Sequence, residues 1–366
     1  MSANLLRLLL MNNVLIIAGG TGGHIYPGIA VAEALQLQGY QLSWLGSVIG
    51  MERQLVADRF EFHAIDTYQL RGKGLKAKLL LPWRLSRAIW QAWRLLRQLK
   101  PDVVIAFGGF VSGPGSIAAR LLKIPLIIHE QNARAGLTNR WLAKIADTVL
   151  EAFPDSFPKK VHAVTVGNPV RESILDIAEP ALRLSQRQGQ LRILILGGSL
   201  GALAINNAVV EWFASYPRRE AVSIKHQTGK AHSEAVREAY QQRHVTADVV
   251  AFIEDMPAAL SWADVVICRA GALSVAEIAV VGLAAIFIPM PHSVDNHQYH
   301  NAHYLVSHGA GIMLEQSQLC SQQLSFYIDR FVDDREHVLQ MSLRARELAY
   351  RDATQRIVKM LSNCCD

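Results

Sequence analysis

Val14-Leu15-Ile16-Ile17-Ala18-Gly19-Gly20-Thr21-Gly22-Gly23-His24 is the stretch on which the reading of this chain turns. Its aliphatic run, Val14 to Ile17, is what a strand buried on both faces of a parallel sheet requires. Glycines crowd the strand end, and an amphipathic helix is expected over roughly Tyr26 to Gln38. Glycine allows a sharp bend and lets main-chain N–H groups approach a ligand closely. The start of the following helix adds partial positive charge, so this corner suits an anion, typically phosphate. His24 stands at its mouth. A single corner of this kind is equally well an ordinary tight turn between strand and helix.

The corner recurs, which shifts the balance. Arg192 to Ala202 is again an aliphatic strand, again Gly-Gly-hydroxyl-x-Gly, and again leads into a helical run, Ala204 to Phe213. Two copies predict two similar α/β halves, each aiming a glycine-rich turn at one cleft. A dinucleotide-binding unit would carry an acid at the end of its second strand to hold ribose hydroxyls. Here that strand, Gln41 to Leu45, ends Leu45-Gly46-Ser47, and Ile25 occupies the place of the last glycine of GxGxxG. Both departures argue against an NAD enzyme.

A chain of 366 residues has room for two domains with full cores. Hydrophobic residues make up 51% and charged ones 19%, an apolar globular composition without low-complexity tracts. The net charge of +6 favours anionic partners: nucleic acid, an anionic membrane or a phosphorylated substrate. Cys268, Cys320, Cys364 and Cys365 lack metal-like spacing, which fits a reducing setting. Leu5 to Met11 is too short for a signal peptide and runs straight into the first core strand, so residues 1–11 read as an extension, with translation starting at Met1 or Met11. No run approaches the roughly 18 to 20 apolar residues of a membrane span.

Arg71 to Lys100 has the most unusual composition: nine basic residues and no acid, interleaved with Leu79, Leu80, Leu81, Trp83, Trp90 and Trp93. Pro82 divides it into a loop with a short apolar piece and a helix to about Leu99. Basic residues beside leucine and tryptophan suit an anionic membrane interface. The competing reading is a domain helix with its apolar stripe on the sheet; Leu79 to Trp83 is the better candidate for an exposed patch.

Further strands are expected at Val103–Phe107 and Ile124–Ile128. The first leads into a third glycine-rich loop, Gly108 to Gly115, and the second into His129-Glu130-Gln131-Asn132, polar residues on the ligand-binding edge or simply helix caps. The second half repeats the pattern, with strands near Ile193–Leu196, Val222–His226, Val249–Phe252, Val265–Cys268 and Ala285–Ile288. Arg269 to Glu277 opens a helix whose amides suit phosphate. Glu277 either complements the helix dipole or grips ribose hydroxyls. Pro289 to Gln298 is a proline-bounded polar loop, and Met341 to Met360 is expected to be helical, bracing the first domain. The domains are placed at 12–175 and 190–340, with 341–366 packing back on the first.

Taken in order, GGTGGHIYPG, LRGKG, GGFVSGPG, HEQNARAGLTNR, GNPVR, GGSLGA, RAGALSVAE and DNHQYHNA resemble the motifs of the MurG family, from Val14 nearly to the end of the chain. The resemblance implies a GT-B glycosyltransferase with two Rossmann-like domains whose parallel sheets face a central cleft. It implies transfer of GlcNAc from UDP-GlcNAc to the MurNAc 4-hydroxyl of undecaprenyl-pyrophosphoryl-MurNAc-pentapeptide (lipid I), with inversion, to give lipid II in peptidoglycan synthesis. The implied partners are UDP-GlcNAc, the lipid-linked acceptor and an anionic membrane, not nucleic acid; no cofactor and no metal are implied. The implied location is peripheral, on the cytoplasmic face of the inner membrane.

By motif, Arg171 would lie against uracil, the backbone at Ile253 would read its edge, and Glu277 would accept the ribose hydroxyls. Ser199 and the amides of Ala272, Leu273 and Ser274 would hold the diphosphate, with Val275 and Ala276 continuing that loop. Thr21, Gly22, Gly23, Asn132 and Gln298 would face the GlcNAc and the reacting centre. His24 resembles the general base, with Glu130 and His129 as rivals. Leu200, Ser274 and Ala276 depart from the family pattern, and Leu200 bears on one side-chain contact to the donor but not on the amide contacts. Helix termini and glycine corners would stabilise the departing UDP, and no Asp-x-Asp metal clamp occurs. The rival readings are a diacylglycerol glycosyltransferase, a UDP-GlcNAc 2-epimerase and a non-catalytic UDP-sugar binder at the membrane.

Overall fold

The computed structural model describes residues 13–67, 80–185, 187–198, 201–291 and 293–363. The basic stretch from Arg71 through Leu79, Ser199, Leu200, His292 and the terminal cysteines lie outside them. The chain divides into two compact units, one running through Arg171 and resuming at Tyr350, the other spanning Glu172–Ala349.

The first unit contains β1 (Asn13–Ala18), β2 (Gln41–Ser47), β3 (Glu61–Ile65), β4 (Val103–Gly108), β5 (Leu126–Glu130), β6 (Thr148–Glu151) and β7 (Val164–Thr165). They form one sheet in the order β3-β2-β1-β4-β5-β6-β7, every neighbouring pair parallel. Successive residues of a strand face opposite ways. Val14 and Ile16 therefore join Val103, Ile105 and Phe107 in one core, while Leu15 and Ile17 join Val104 and Ala106 in the other. The helices Gly22–Leu37 and Ala353–Asn363 cover the first face, the latter through Ile357, Val358 and Leu361. Ala92 and Leu96 of the helix Leu81–Leu99, with Ala118 and Ala119 of Ser112–Leu121, cover the second.

The first helix begins at Gly22, four residues ahead of the expected Tyr26, so the last glycines of the corner are already its first turn. Gly28 brings that helix down onto the sheet: a Cβ there would sit 2.7 Å from the Trp44 ring. Trp44 is fully buried and donates its indole N–H to the carbonyl of Ala18 at 3.0 Å, which pins the chain immediately before the corner.

The second unit carries β8 (Leu191–Leu196), β9 (Val222–Gln227), β10 (Asp248–Val250), β11 (Val265–Cys268), β12 (Ala284–Phe287) and β13 (Ile312–Met313). Their order is β10-β9-β8-β11-β12-β13, again all parallel. The chain is thus two Rossmann-like α/β units, the GT-B organisation. The expected helix Met341–Met360 is two helices, Arg335–Glu347 and Ala353–Asn363. Met341 packs in the core of the second unit and Ile357 in that of the first, and the break between the two helices falls where the chain passes from one unit to the other.

Candidate functional site

In an open parallel sheet, ligands bind beyond the carboxyl ends of the strands where the strand order reverses. That point lies between β1 and β4 in the first unit and between β8 and β11 in the second. All four strands end in glycine-containing loops.

In the first unit the loops after β1 and β4 are in contact. His24, in the first turn of its helix, lays its ring against Gly108: a Cβ there would stand 2.8 Å from His24 Cδ2 and 3.0 Å from Nε2. Gly109, at φ +85°, presses its backbone on the Gly19 carbonyl, 2.1 Å from where its Cβ would be. His24 Nδ1 lies 3.3 Å from Gly19 O and, facing a carbonyl, is the donor. Thr21 O accepts from the amides of His24 and Ile25, whereas the amides of Gly22 and Gly23 open the helix without an intrahelical acceptor.

The polar cluster after β5 is bracing. Glu130 is 2% exposed; Oε1 accepts from the main-chain and side-chain nitrogens of Asn132, and Oε2 from Gly136 N and Asn139 Nδ2, all between 2.9 and 3.1 Å. His129 is buried, donates Nε2–H to Gly167 O at 2.9 Å and accepts at Nδ1 from Gln131. Burial pulls its pKa down to about 4, against the raising effect of the Gly167 carbonyl. Both groups are enclosed by these hydrogen bonds in the structure. Arg171 stacks its guanidinium over Tyr26, 5.7 Å from the ring centre.

Beside the β4 loop a pocket of about 170 Å³ is lined by Leu81, Arg84, Leu85, Phe110, Gly113 and Pro114, among others. It runs from the third glycine loop to the start of the tryptophan-bearing helix. Ala88, Ala92 and Leu96 form the buried stripe of that helix, while Leu80 and Trp83 are 47% and 62% exposed. Arg87 and Arg94 stack over Trp83 and Trp90. The helix thus turns one face to the core and leaves the other exposed. No helix among the described residues is long and apolar enough to cross a membrane.

In the second unit the helix Ala272–Val281 starts directly after Gly271, so the amides of Ala272, Leu273 and Ser274 form its first turn, with Val275 and Ala276 next and Glu277 in the second turn. Ile253 N donates to Gln227 Oε1 at 3.0 Å. Gln298 Oε1 accepts from Met290 N at 2.9 Å, and Arg269 reaches the carbonyls of Ile288 and Pro289 and the side chain of Gln316. The proline-bounded loop is thus held from two sides. Asn206 joins Thr228 O to His226, whose other nitrogen meets the Tyr240 hydroxyl. Burial takes His226 down to about 3, so it stays neutral. Cys268 is buried, with its thiol pushed up to about 12, an inert group.

Residues 14–151 match the glycosyltransferase family 28 N-terminal domain, and residues 192–357 match the family 28 C-terminal domain. A curated relative from Coxiella burnetii, a UDP-N-acetylglucosamine–N-acetylmuramyl-(pentapeptide) pyrophosphoryl-undecaprenol N-acetylglucosamine transferase, is 49% identical over 95% of this chain and 97% of its own length. One of the same description from Marinobacter nauticus is 46% identical over 94% of this chain and 95% of its own. The solved structure of MurG from Acinetobacter baumannii has a TM-score of 0.83 at 40% identity, covering 96% of this chain and 99% of that one. The chain belongs to the MurG family. It is a glycosyltransferase.

For this MurG family member the sequence reading missed Glu52. No acid stands at the end of β2 itself. The acid instead opens a short helix five residues past Ser47 and folds back, fully buried, onto that strand end and the first glycine corner. Two glycines shortly before the acid, Gly46 and Gly50, were the available signal: side chains there would collide with Glu52. Asn139, Asn206 and Arg269 were also missed as braces of these loops, because their partners lie far along the sequence.

Proposed function

We propose that this chain transfers N-acetylglucosamine from UDP-N-acetylglucosamine to the 4-hydroxyl of MurNAc in undecaprenyl-pyrophosphoryl-MurNAc-pentapeptide, inverting the anomeric carbon. The observation that carries the mechanism is His24. It sits at the switch point of the first unit with Nδ1 turned to Gly19 O, which assigns the lone pair to Nε2. Nε2 takes the proton of the acceptor hydroxyl as the new O4–C1 bond forms and the bond from C1 to the UDP phosphate breaks. The buried, fully bonded Glu130 supports this choice by holding the Asn132 loop instead.

The departing diphosphate gains negative charge, which the first-turn amides of Ala272, Leu273 and Ser274 stabilise from a helix start that needs no reorganisation, with the Ser199 hydroxyl as a further donor. Val275 and Ala276 continue that turn. Glu277 accepts the ribose hydroxyls, the Ile253 carbonyl meets the uracil edge, and Arg171 lies against the base. Thr21, Gly22, Gly23, Asn132 and the amide nitrogen of Gln298 face the sugar. The exposed leucine and tryptophan with their arginines favour peripheral attachment to the anionic cytoplasmic face of the inner membrane, and the adjoining pocket favours a lipid-linked acceptor.

The test measures UDP release with UDP-GlcNAc and a lipid I analogue. His24→Ala should lower kcat by about 10² or more, the usual weight of a general base, while donor affinity holds. Glu277→Ala should weaken donor binding. UDP release independent of the acceptor would overturn the transferase reading, and near-parent turnover of His24→Ala would remove His24 from it.

A further inference from the structure

Among the described residues, Glu52 is the one fully buried acid at the first unit's switch point, and its contacts lead to His24. Oε1 accepts from the main-chain N–H and the hydroxyl of Ser47, both at 2.6 Å, and Oε2 accepts from Gly20 N at 3.2 Å. The N–H of Gly20 and the carbonyl of Gly19 belong to the same peptide group. That carbonyl is the acceptor for His24 Nδ1 at 3.3 Å. A carboxylate, one peptide and an imidazole therefore stand in series, each donor pointing toward the carboxylate. The peptide is boxed in: Gly109 leaves 2.1 Å for a Cβ on its carbonyl side, and Gly19 would place a Cβ 2.7 Å from Glu52 Oε1.

We propose that Glu52 is a positioning residue that acts on His24 through the Gly19–Gly20 peptide. A negative charge on the N–H side of a peptide polarises it and makes its carbonyl a stronger acceptor. A stronger acceptor at Gly19 holds the proton on Nδ1, fixes the ring against Gly108 and leaves the lone pair on Nε2. The carboxylate thus does from one peptide away what a directly bonded acid does for a catalytic histidine: it sets tautomer and orientation and takes no proton itself. This rests on the reading of His24 as the base.

The test is ¹⁵N-histidine NMR on the full-length enzyme, with the His24 signal assigned by its loss in His24→Gln, alongside steady-state kinetics. In Glu52→Gln the carboxamide keeps the volume and loses the charge. The expected result is a smaller Nδ1–H fraction at His24 and a fall in kcat of about tenfold or more, inside the range a general base supplies, with donor KM little changed. Glu52→Asp, which retains the charge at greater reach, should restore part of both. An unchanged His24 spectrum in Glu52→Gln overturns the proposal even where kcat falls, because the effect is then structural. Where Glu52→Gln does not fold, Glu52→Met, similar in length and uncharged, takes its place, and a parent-like Nδ1–H fraction there overturns the relay. Parent-like turnover of His24→Ala defeats the base assignment separately, and the NMR comparison still reads the Glu52–His24 coupling by itself.

Discussion

Glu130 accepts a 2.9 Å hydrogen bond from the side-chain amide of Asn139, and with its other oxygen it holds both nitrogens of Asn132 at 2.9 and 3.0 Å. An acid so enclosed stabilises a loop. Glu130→Ala strands the buried Asn139 amide and two main-chain donors, each worth about 1–3 kcal/mol when left unbonded. A loss of about 3 kcal/mol in urea unfolding is expected, with the Asn132 loop disordered. A variant of unchanged stability and abolished turnover would instead make Glu130 a chemical participant.

Two buried histidines set an acid limit on stability. His129 and His226 have pKa values near 4 and 3 in the folded chain, against about 6.5 when exposed. Unfolding therefore takes up protons between these values, and stability present above pH 6.5 is lost as the pH falls. By pH 5 each contributes a loss of about 2 kcal/mol. Urea midpoints at pH 7.5 and pH 5 check this, and His226→Asn should flatten the dependence of the second unit.

Gly109→Ala tests the packing around the Gly19–Gly20 peptide. The new Cβ would lie 2.1 Å from Gly19 O at a φ of +85°, which L side chains rarely adopt. The peptide must shift and His24 with it. A fall in kcat of about tenfold or more is expected with UDP affinity intact, since a misplaced base costs turnover and not ground-state binding. Isothermal titration with UDP, beside the transfer assay, separates the two.

The apolar end of the basic helix should govern membrane attachment. Leu80→Ser with Trp83→Ser removes two side chains that are already exposed, so the fold should hold. Binding to vesicles containing phosphatidylglycerol should weaken by about 10-fold to 100-fold, from roughly 1.5–3 kcal/mol for each fully buried large apolar side chain, discounted for shallow insertion. Added salt should weaken it further in the parent. Vesicle sedimentation gives both numbers.

Much of this was readable from residues in sequence order. Uninterrupted aliphatic runs such as Val14–Ile17 and Val103–Phe107 mark strands buried on both faces, and the glycines behind them mark the ligand-binding ends; both are local signals. Gly271 before Ala272–Val281 likewise announces a helix start with open amides. The motif series places the chain in its family for the same reason: short segments carry their chemistry with them.

What the chain alone determined, then, is the pair of parallel α/β units, their glycine corners and His24 as the group at the mouth of one. Only the tertiary structure decided which acids are available. It enclosed Glu130 among amides, drew His129 into the core, used the Ile253 amide on Gln227, and set Glu52 beneath the corner beside Gly20. The reason is physical. Backbone periodicity depends on neighbours a few positions away, whereas the environment of a carboxylate or imidazole depends on burial and on partners such as Gly20 for Glu52 and Gly167 for His129, brought near only when the chain folds.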